Sequence, residues 1–158
     1  MHSASISEIK KELIELPQEV LLSYCLRLAK YKKENKELLN YLLFESHNEN
    51  AYILKAKEDI EIQFAEINNT NNYLAKKTIR KVLRTTNKYI KYSTQKTTEI
   101  DLLFHYCRTL KNSGFSLQNS IAINNIYLRQ IQKIKTAIKT LHEDLQFDYS
   151  KELENFLN

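Results

Sequence analysis

Apolar residues recur along most of this chain at spacings of three and four, and that period predicts one helix after another. Ile6, Ile9, Leu13 and Leu16 form the stripe of a first helix from near Ser5 to Leu16, with Ser5 and Glu8 at capping-box spacing. Leu16-Pro17 ends it, because the residue before a proline avoids the α region and proline suits the opening of the next helix. A second helix over 17–31 is apolar around much of its circumference, through Val20, Leu21, Leu22, Tyr24, Cys25, Leu28 and Ala29, which predicts a central position. The polar run Lys30 to Lys36 predicts a tight bend. Leu38, Leu39, Tyr41, Leu42 and Phe44 then make a third helix to about residue 46, followed by a polar connection from His47 to Asn50.

The fourth helix, about 49–68, carries Ile53, Ala56, Ile60, Phe64 and Ile67 on one face and stops at the cap-forming cluster Asn68-Asn69-Thr70-Asn71-Asn72. A fifth covers about 71–93. Thr97-Thr98 opens a sixth, with Thr98 and Asp101 as a capping pair, Leu102, Leu103, Tyr106 and Leu110 on its apolar side, and Gly114 as the residue just past its end. From Leu117 to Leu145 the positions Tyr127, Ile131, Ile134, Ile138, Leu141 and Leu145 alternate four and three, predicting one long helix packed nearly parallel to a neighbour. A last short helix, Ser150 to Leu157, docks through Leu153, Phe156 and Leu157. No internal repeat emerges. The pattern predicts a single all-α domain over 1–158, either an irregular multi-helix bundle of about eight helices or a short α-solenoid of antiparallel helix pairs.

Composition strengthens this reading and removes several function classes. Gly114 and Pro17 are the only residues of their types, so a β-rich chain would lack turn chemistry, and there is no GxGxxG, P-loop or GxSxG. Apolar stretches such as Tyr41-Leu42-Leu43-Phe44 fall far short of a membrane span, and the N-terminus meets Glu8, Lys10 and Lys11 without an apolar leader. A cytoplasmic protein with no membrane association is the expectation. Cys25 and Cys107, each among apolar helical neighbours, read as buried small hydrophobes rather than as a disulfide or redox pair.

Charge is the uneven feature. The net charge is +5, yet residues 1–70 hold nine Lys/Arg against 12 Asp/Glu, and residues 97–158 hold seven of each. Residues 71–96 hold eight positive charges and no acid. At 100° per residue, Lys76, Lys77, Arg80, Lys81, Arg84, Lys88 and Lys91 share one arc of the fifth helix, with Tyr73 inside it and Tyr92 beside it. Leu74, Ala75, Ile79, Val82, Leu83, Tyr89 and Ile90 take the other side. The ordinary explanation is a solvated face, or one balanced internally by Glu58, Asp59, Glu61 and Glu66 of the preceding helix. The functional explanation is an anionic partner: an acidic protein surface, or nucleic-acid phosphates with Tyr73 stacking. With 19 Lys to five Arg in the chain, phosphate contact is favoured over base reading.

Elsewhere the chemistry is sparse. His2, His47, His105 and His142 are scattered, and no HExxH or ExxH pair occurs. Asp101 with His105, and His142 with Glu143 and Asp144, are too few for a metal site. Cys107 lies two residues from His105, so the two point apart on a helix, and Glu143 with Asp144 reads as solvated charge. No catalytic residue, cofactor, metal or small-molecule substrate is expected. The expected role is a non-enzymatic module for a protein partner or self-association, with nucleic-acid binding as the alternative.

The stretches Lys10-Lys11-Glu12-Leu13, Glu15-Leu16-Pro17, Cys25-Leu26-Arg27-Leu28-Ala29-Lys30 and Lys33-Glu34-Asn35-Lys36-Glu37-Leu38-Leu39 are similar to those of a family of small all-helical bacterial proteins of unknown function. The basic helix and Leu141-His142-Glu143-Asp144-Leu145 fit the same family. The resemblance implies a bacterial, cytoplasmic, helical protein and brings no activity, cofactor or partner with it.

Overall fold

The computed structural model describes residues 4–158, and among them are eight α-helices and no strand. The chain is an all-α, multi-helix protein, and it falls into two compact units, Met1–Phe44 and Glu45–Asn158. Among the described residues no helix is long and apolar enough to cross a membrane.

The first unit holds α1 (Ile6–Ile14), α2 (Gln18–Tyr31) and α3 (Lys33–Asn40). The capping box forms as its spacing predicts: the Ser5 hydroxyl accepts from the Glu8 amide at 3.3 Å, and the Glu8 carboxylate accepts from the Ser5 amide at 2.7 Å. Pro17 is the residue before α2, and its carbonyl accepts from the Val20 and Leu21 amides. Lys32, in an extended conformation, is the hinge between α2 and α3, and the Asn35 side chain donates to the Leu28 carbonyl at 2.9 Å across it. A π turn, Tyr41–Glu45, follows α3.

Two expectations fail in this unit. The second helix was expected to be central, yet none of the residues of α1, α2 or α3 is buried, and Leu22, Tyr24, Leu26, Leu28 and Tyr31 are exposed. Cys25 is exposed as well, not a buried hydrophobe. The reason lies in length. A helix apolar on every side needs neighbours on every side, and the eight residues of α3 cover one flank of α2.

The second unit is a five-helix bundle of α4 (Glu49–Ala65), α5 (Asn72–Ser93), α6 (Lys96–Asn112), α7 (Ile121–Ile138) and α8 (Glu143–Leu157). At its centre α6 packs on α4, α5 and α7, and α8 packs on α7. A helix surrounded on three sides makes a bundle with one core rather than a solenoid, where each pair touches only its neighbours. Ile60, Ile79, Val82, Leu102, Leu110, Ile123 and Ile134 are fully enclosed in that core. Tyr106 is enclosed with them and donates its hydroxyl to the Ile79 carbonyl at 3.2 Å, so its one polar atom is satisfied.

Helix ends follow local chemistry. Asn48, Asn71 and Ser120 cap α4, α5 and α7 through side-chain oxygens. Gly114 follows α6 with φ +78°, and Asn69 donates to the adjacent Ser113 carbonyl at 2.7 Å. Thr98 and Asp101 do not form the expected cap. The helix starts earlier, at Lys96, and Thr98 is buried with its hydroxyl donating to Glu49 at 2.6 Å. Ser93 donates to the same carboxylate, so Glu49 ties the start of α4 to the end of α5 and the first turns of α6.

The long helix expected from Leu117 to Leu145 is three pieces. A 3-10 turn covers Leu117–Asn119, Ser120 restarts the chain as α7, and α7 stops at Ile138. The Thr140 hydroxyl donates to the Ala137 carbonyl at 2.7 Å, and Gln146 donates to the Leu141 carbonyl at 2.7 Å, which satisfies backbone groups freed by the break. The last helix therefore begins at Glu143 rather than Ser150. Leu153 is buried and Phe156 packs on the core, but Leu157 is exposed.

Candidate functional site

Amphipathic α5 is anchored by its apolar side. Ala75, Ile79, Val82 and Thr86 are buried, and Leu83, Tyr89 and Ile90 pack against the core at the margins. The Tyr89 hydroxyl donates to Asp59 of α4 at 2.6 Å, and its backbone carbonyl accepts from the Tyr52 hydroxyl at 2.9 Å. These contacts fix the helix in rotation. The opposite arc is thereby turned outward.

On that arc Lys77, Arg80, Lys81, Arg84 and Lys91 are exposed, and Lys76 and Lys88 are half-buried. Lys88 lies over the Tyr89 ring with Nζ 5.5 Å from its centroid. Tyr73, at the N-terminal end of the stripe, keeps 74% of its surface open. From Lys76 to Lys91 the stripe runs about 22 Å at the helical rise of ~1.5 Å per residue. All eight residues singled out by spacing thus lie along one helix. Leu74, expected on the apolar side, is exposed instead.

Internal balance by α4 is slight. Lys81 meets Glu66 at 3.8 Å, with both groups open to solvent, where such a pair contributes about 0–1 kcal/mol. Asp59 is engaged by Tyr89 and by Gln63, and Glu61 faces His105 on α6 at 3.2 Å. Among the described residues Lys76, Lys77, Arg80, Arg84 and Lys91 form no ion pair within 4 Å. No acid sits in the first turn of α5 to match the helix dipole there. Like charges at i,i+4 each cost a few tenths of a kcal/mol, so the stripe slightly destabilises the helix that carries it.

The remaining candidate groups do not converge. Asp101 accepts from the Tyr149 hydroxyl at 3.1 Å, and burial raises its pKa. His105 turns towards Glu61 instead, but Nε2 lies off the hydrogen-bonding direction and has no directed partner. Burial holds the imidazole below its ordinary pKa, against the pull of Glu61. Cys107 is enclosed, and burial pushes its thiol up to about 12, so it is no nucleophile near neutrality. His142 lies 3.7 Å from Asp144 at the surface, His47 is exposed, and His2 lies outside the described residues. Among the described residues no three His, Cys, Asp or Glu side chains are grouped to hold a metal.

Comparison with known protein families, curated proteins and solved structures finds no match to this chain.

Two features of the structure do not follow from apolar spacing. The Glu49, Ser93 and Thr98 cluster joins residues up to 49 positions apart, and nothing local marks it. The open apolar surface of α2 did have a signal: an all-round apolar helix followed by a short one.

Proposed function

We propose that this chain is a non-enzymatic helical interaction module that binds an acidic protein partner through the outer face of α5. The observation that carries the reading is the exposure of Lys77, Arg80, Lys81, Arg84 and Lys91 along one face, where Glu66 is the only carboxylate among the described residues within 4 Å of them. The net positive excess along the sequence comes from residues 71–96, since residues 97–158 are balanced and residues 1–70 carry an acid excess. An acidic helix or loop of about the same length matches the stripe. The same reading includes a cytoplasmic location and kinship with small bacterial helical proteins, supported by the sequence features above.

Nucleic-acid binding is the second reading, and the exposed Tyr73 ring beside the stripe is the observation in its favour, since bases stack on such rings. Titrating the chain with a labelled DNA duplex and a labelled single strand at low salt separates the two. Phosphate binding predicts an affinity that falls linearly on a log-log salt plot, with a slope of about −0.9 per phosphate neutralised on duplex. No binding of either strand form removes the second reading. Loss of the fold in the Arg80→Glu, Arg84→Glu double variant would show instead that these charges are structural.

A further inference from the structure

Within the five-helix unit a second helix carries concentrated charge, of the sign opposite to α5. The positions of α8 facing away from buried Leu153 hold Glu143, Asp144, Asp148, Glu152 and Glu154 against Lys151 alone, and all six are exposed. At ~100° per residue they spread over about half of the helix circumference. From Glu143 to Glu154 the acids span about 16 Å at ~1.5 Å per residue, which fits within the ~22 Å of the basic stripe. Little inside the molecule answers these charges. Glu152 meets Arg108 at 3.3 Å and Asp144 meets His142 at 3.7 Å, both at the surface. Among the described residues Glu143, Asp148 and Glu154 form no ion pair within 4 Å. Nor does one molecule bring the two faces together. The α5 helix packs on α4 and α6, α8 packs on α7, and among the described residues no acid of α8 lies within 4 Å of the α5 stripe.

We propose that the acidic partner of α5 is α8 of a second copy of the chain. The inference rests on the reading of α5 given above and names its occupant. Charge complementarity selects that occupant: seven bases and no acid on one face, five acids and one base on the other. Both helices are anchored by their inner sides, α5 through Ile79 and Val82 and α8 through Leu153 and Phe156, so each charged face is a preformed surface. Each face also presents an open ring, Tyr73 on α5 and Phe147 on α8, with 74% and 69% of their surfaces exposed. Small counterions would neutralise the charge and leave such rings in water, whereas a facing helix covers them. Because the two faces differ, the contact either closes as a reciprocal pair or continues to larger oligomers. One helix against one helix buries less than a standard interface, so the association is weak and salt-sensitive.

The test is the mass of the full chain in solution. Between about 10 µM and 1 mM, in about 50 mM salt, sedimentation or light scattering should give a mass that climbs above the 18.7 kDa of one chain. About 0.5 M salt should return it to the monomer. Arg80→Glu with Arg84→Glu, and separately Asp144→Lys with Asp148→Lys, should each weaken association at least about tenfold with unchanged helical circular dichroism. An equal mixture of these two variants should associate again, because each supplies the sign of charge that the other has lost. A wild-type chain that stays monomeric at low salt overturns the proposal, as does association that salt leaves intact or a mixture no heavier than its components. Should the lysine variant unfold, Asp144→Asn with Asp148→Asn decides: association should fall severalfold, and unchanged association overturns the assignment of α8. A monomeric wild type that still binds labelled polyglutamate through Arg80 and Arg84 would refute α8 as the occupant and leave the reading of α5 standing. Failure of both would remove that reading too.

Discussion

Gly114 shows how one residue holds a helix end and its neighbour together. With φ +78° it sits where side chains are strained, and a Cβ there would stand 2.9 Å from Asn69 Nδ2, the atom that donates to the Ser113 carbonyl. Gly114→Ala should therefore destabilise the chain by roughly 1–2 kcal/mol, read as a lower urea midpoint with unchanged slope. Its place was legible in sequence because the only glycine of the chain follows an apolar helical run. His105 was not legible. Its partner Glu61 is 44 positions away, and only the packing of α4 on α6 brings them together. Because burial lowers its pKa in the fold, the neutral form contributes stability that is present above the ordinary histidine value near 6.5 and lost as pH falls below it. Asp101, raised by burial, acts in the opposite sense at lower pH. Thermal stability should decline from pH 7 to pH 5.5, and His105→Gln should flatten that decline.

Among elements, the contrast between α2 and α5 explains what periodicity can and cannot reveal. The two-sided pattern of α5 specifies its own orientation, so its inner and outer residues were read correctly from spacing except at Leu74. An all-round apolar helix such as α2 specifies only that something must cover it, not what. The 117–145 run misleads for a related reason: its four-three spacing continues through Leu141 and Leu145 although Thr140 and Gln146 stabilise a break. Junctions between elements are fixed by distant polar groups. Glu49→Ala would leave the buried hydroxyls of Ser93 and Thr98 without their acceptor, and should cost about 1–3 kcal/mol in a denaturant melt. Arg80→Glu with Arg84→Glu, on the open face, should leave the same melt within about 0.5 kcal/mol of wild type.

At the scale of the molecule, the fold class followed from helical periodicity and the scarcity of Gly and Pro, and the bundle around α6 bears it out. Which helix would be central did not follow: all-round apolar α2 was the expected one, whereas α6, with a single apolar side in the spacing, is the helix that packs on α4, α5 and α7. The core of residues 45–158 is built without the basic arc, and among the described residues Lys76, Lys77, Arg80, Arg84 and Lys91 form no ion pair within 4 Å while Lys81 meets Glu66 alone. A face that slightly weakens its own helix and is spared by the core is the basis for assigning it to a partner. Equilibrium binding of a labelled polyglutamate peptide to the full chain at low salt tests that assignment most directly. Wild type should bind, and the Arg80→Glu, Arg84→Glu variant, equally helical, should bind at least about tenfold more weakly, a difference of ~1.4 kcal/mol. Equal affinity of the two proteins, or no binding by wild type, would contradict it.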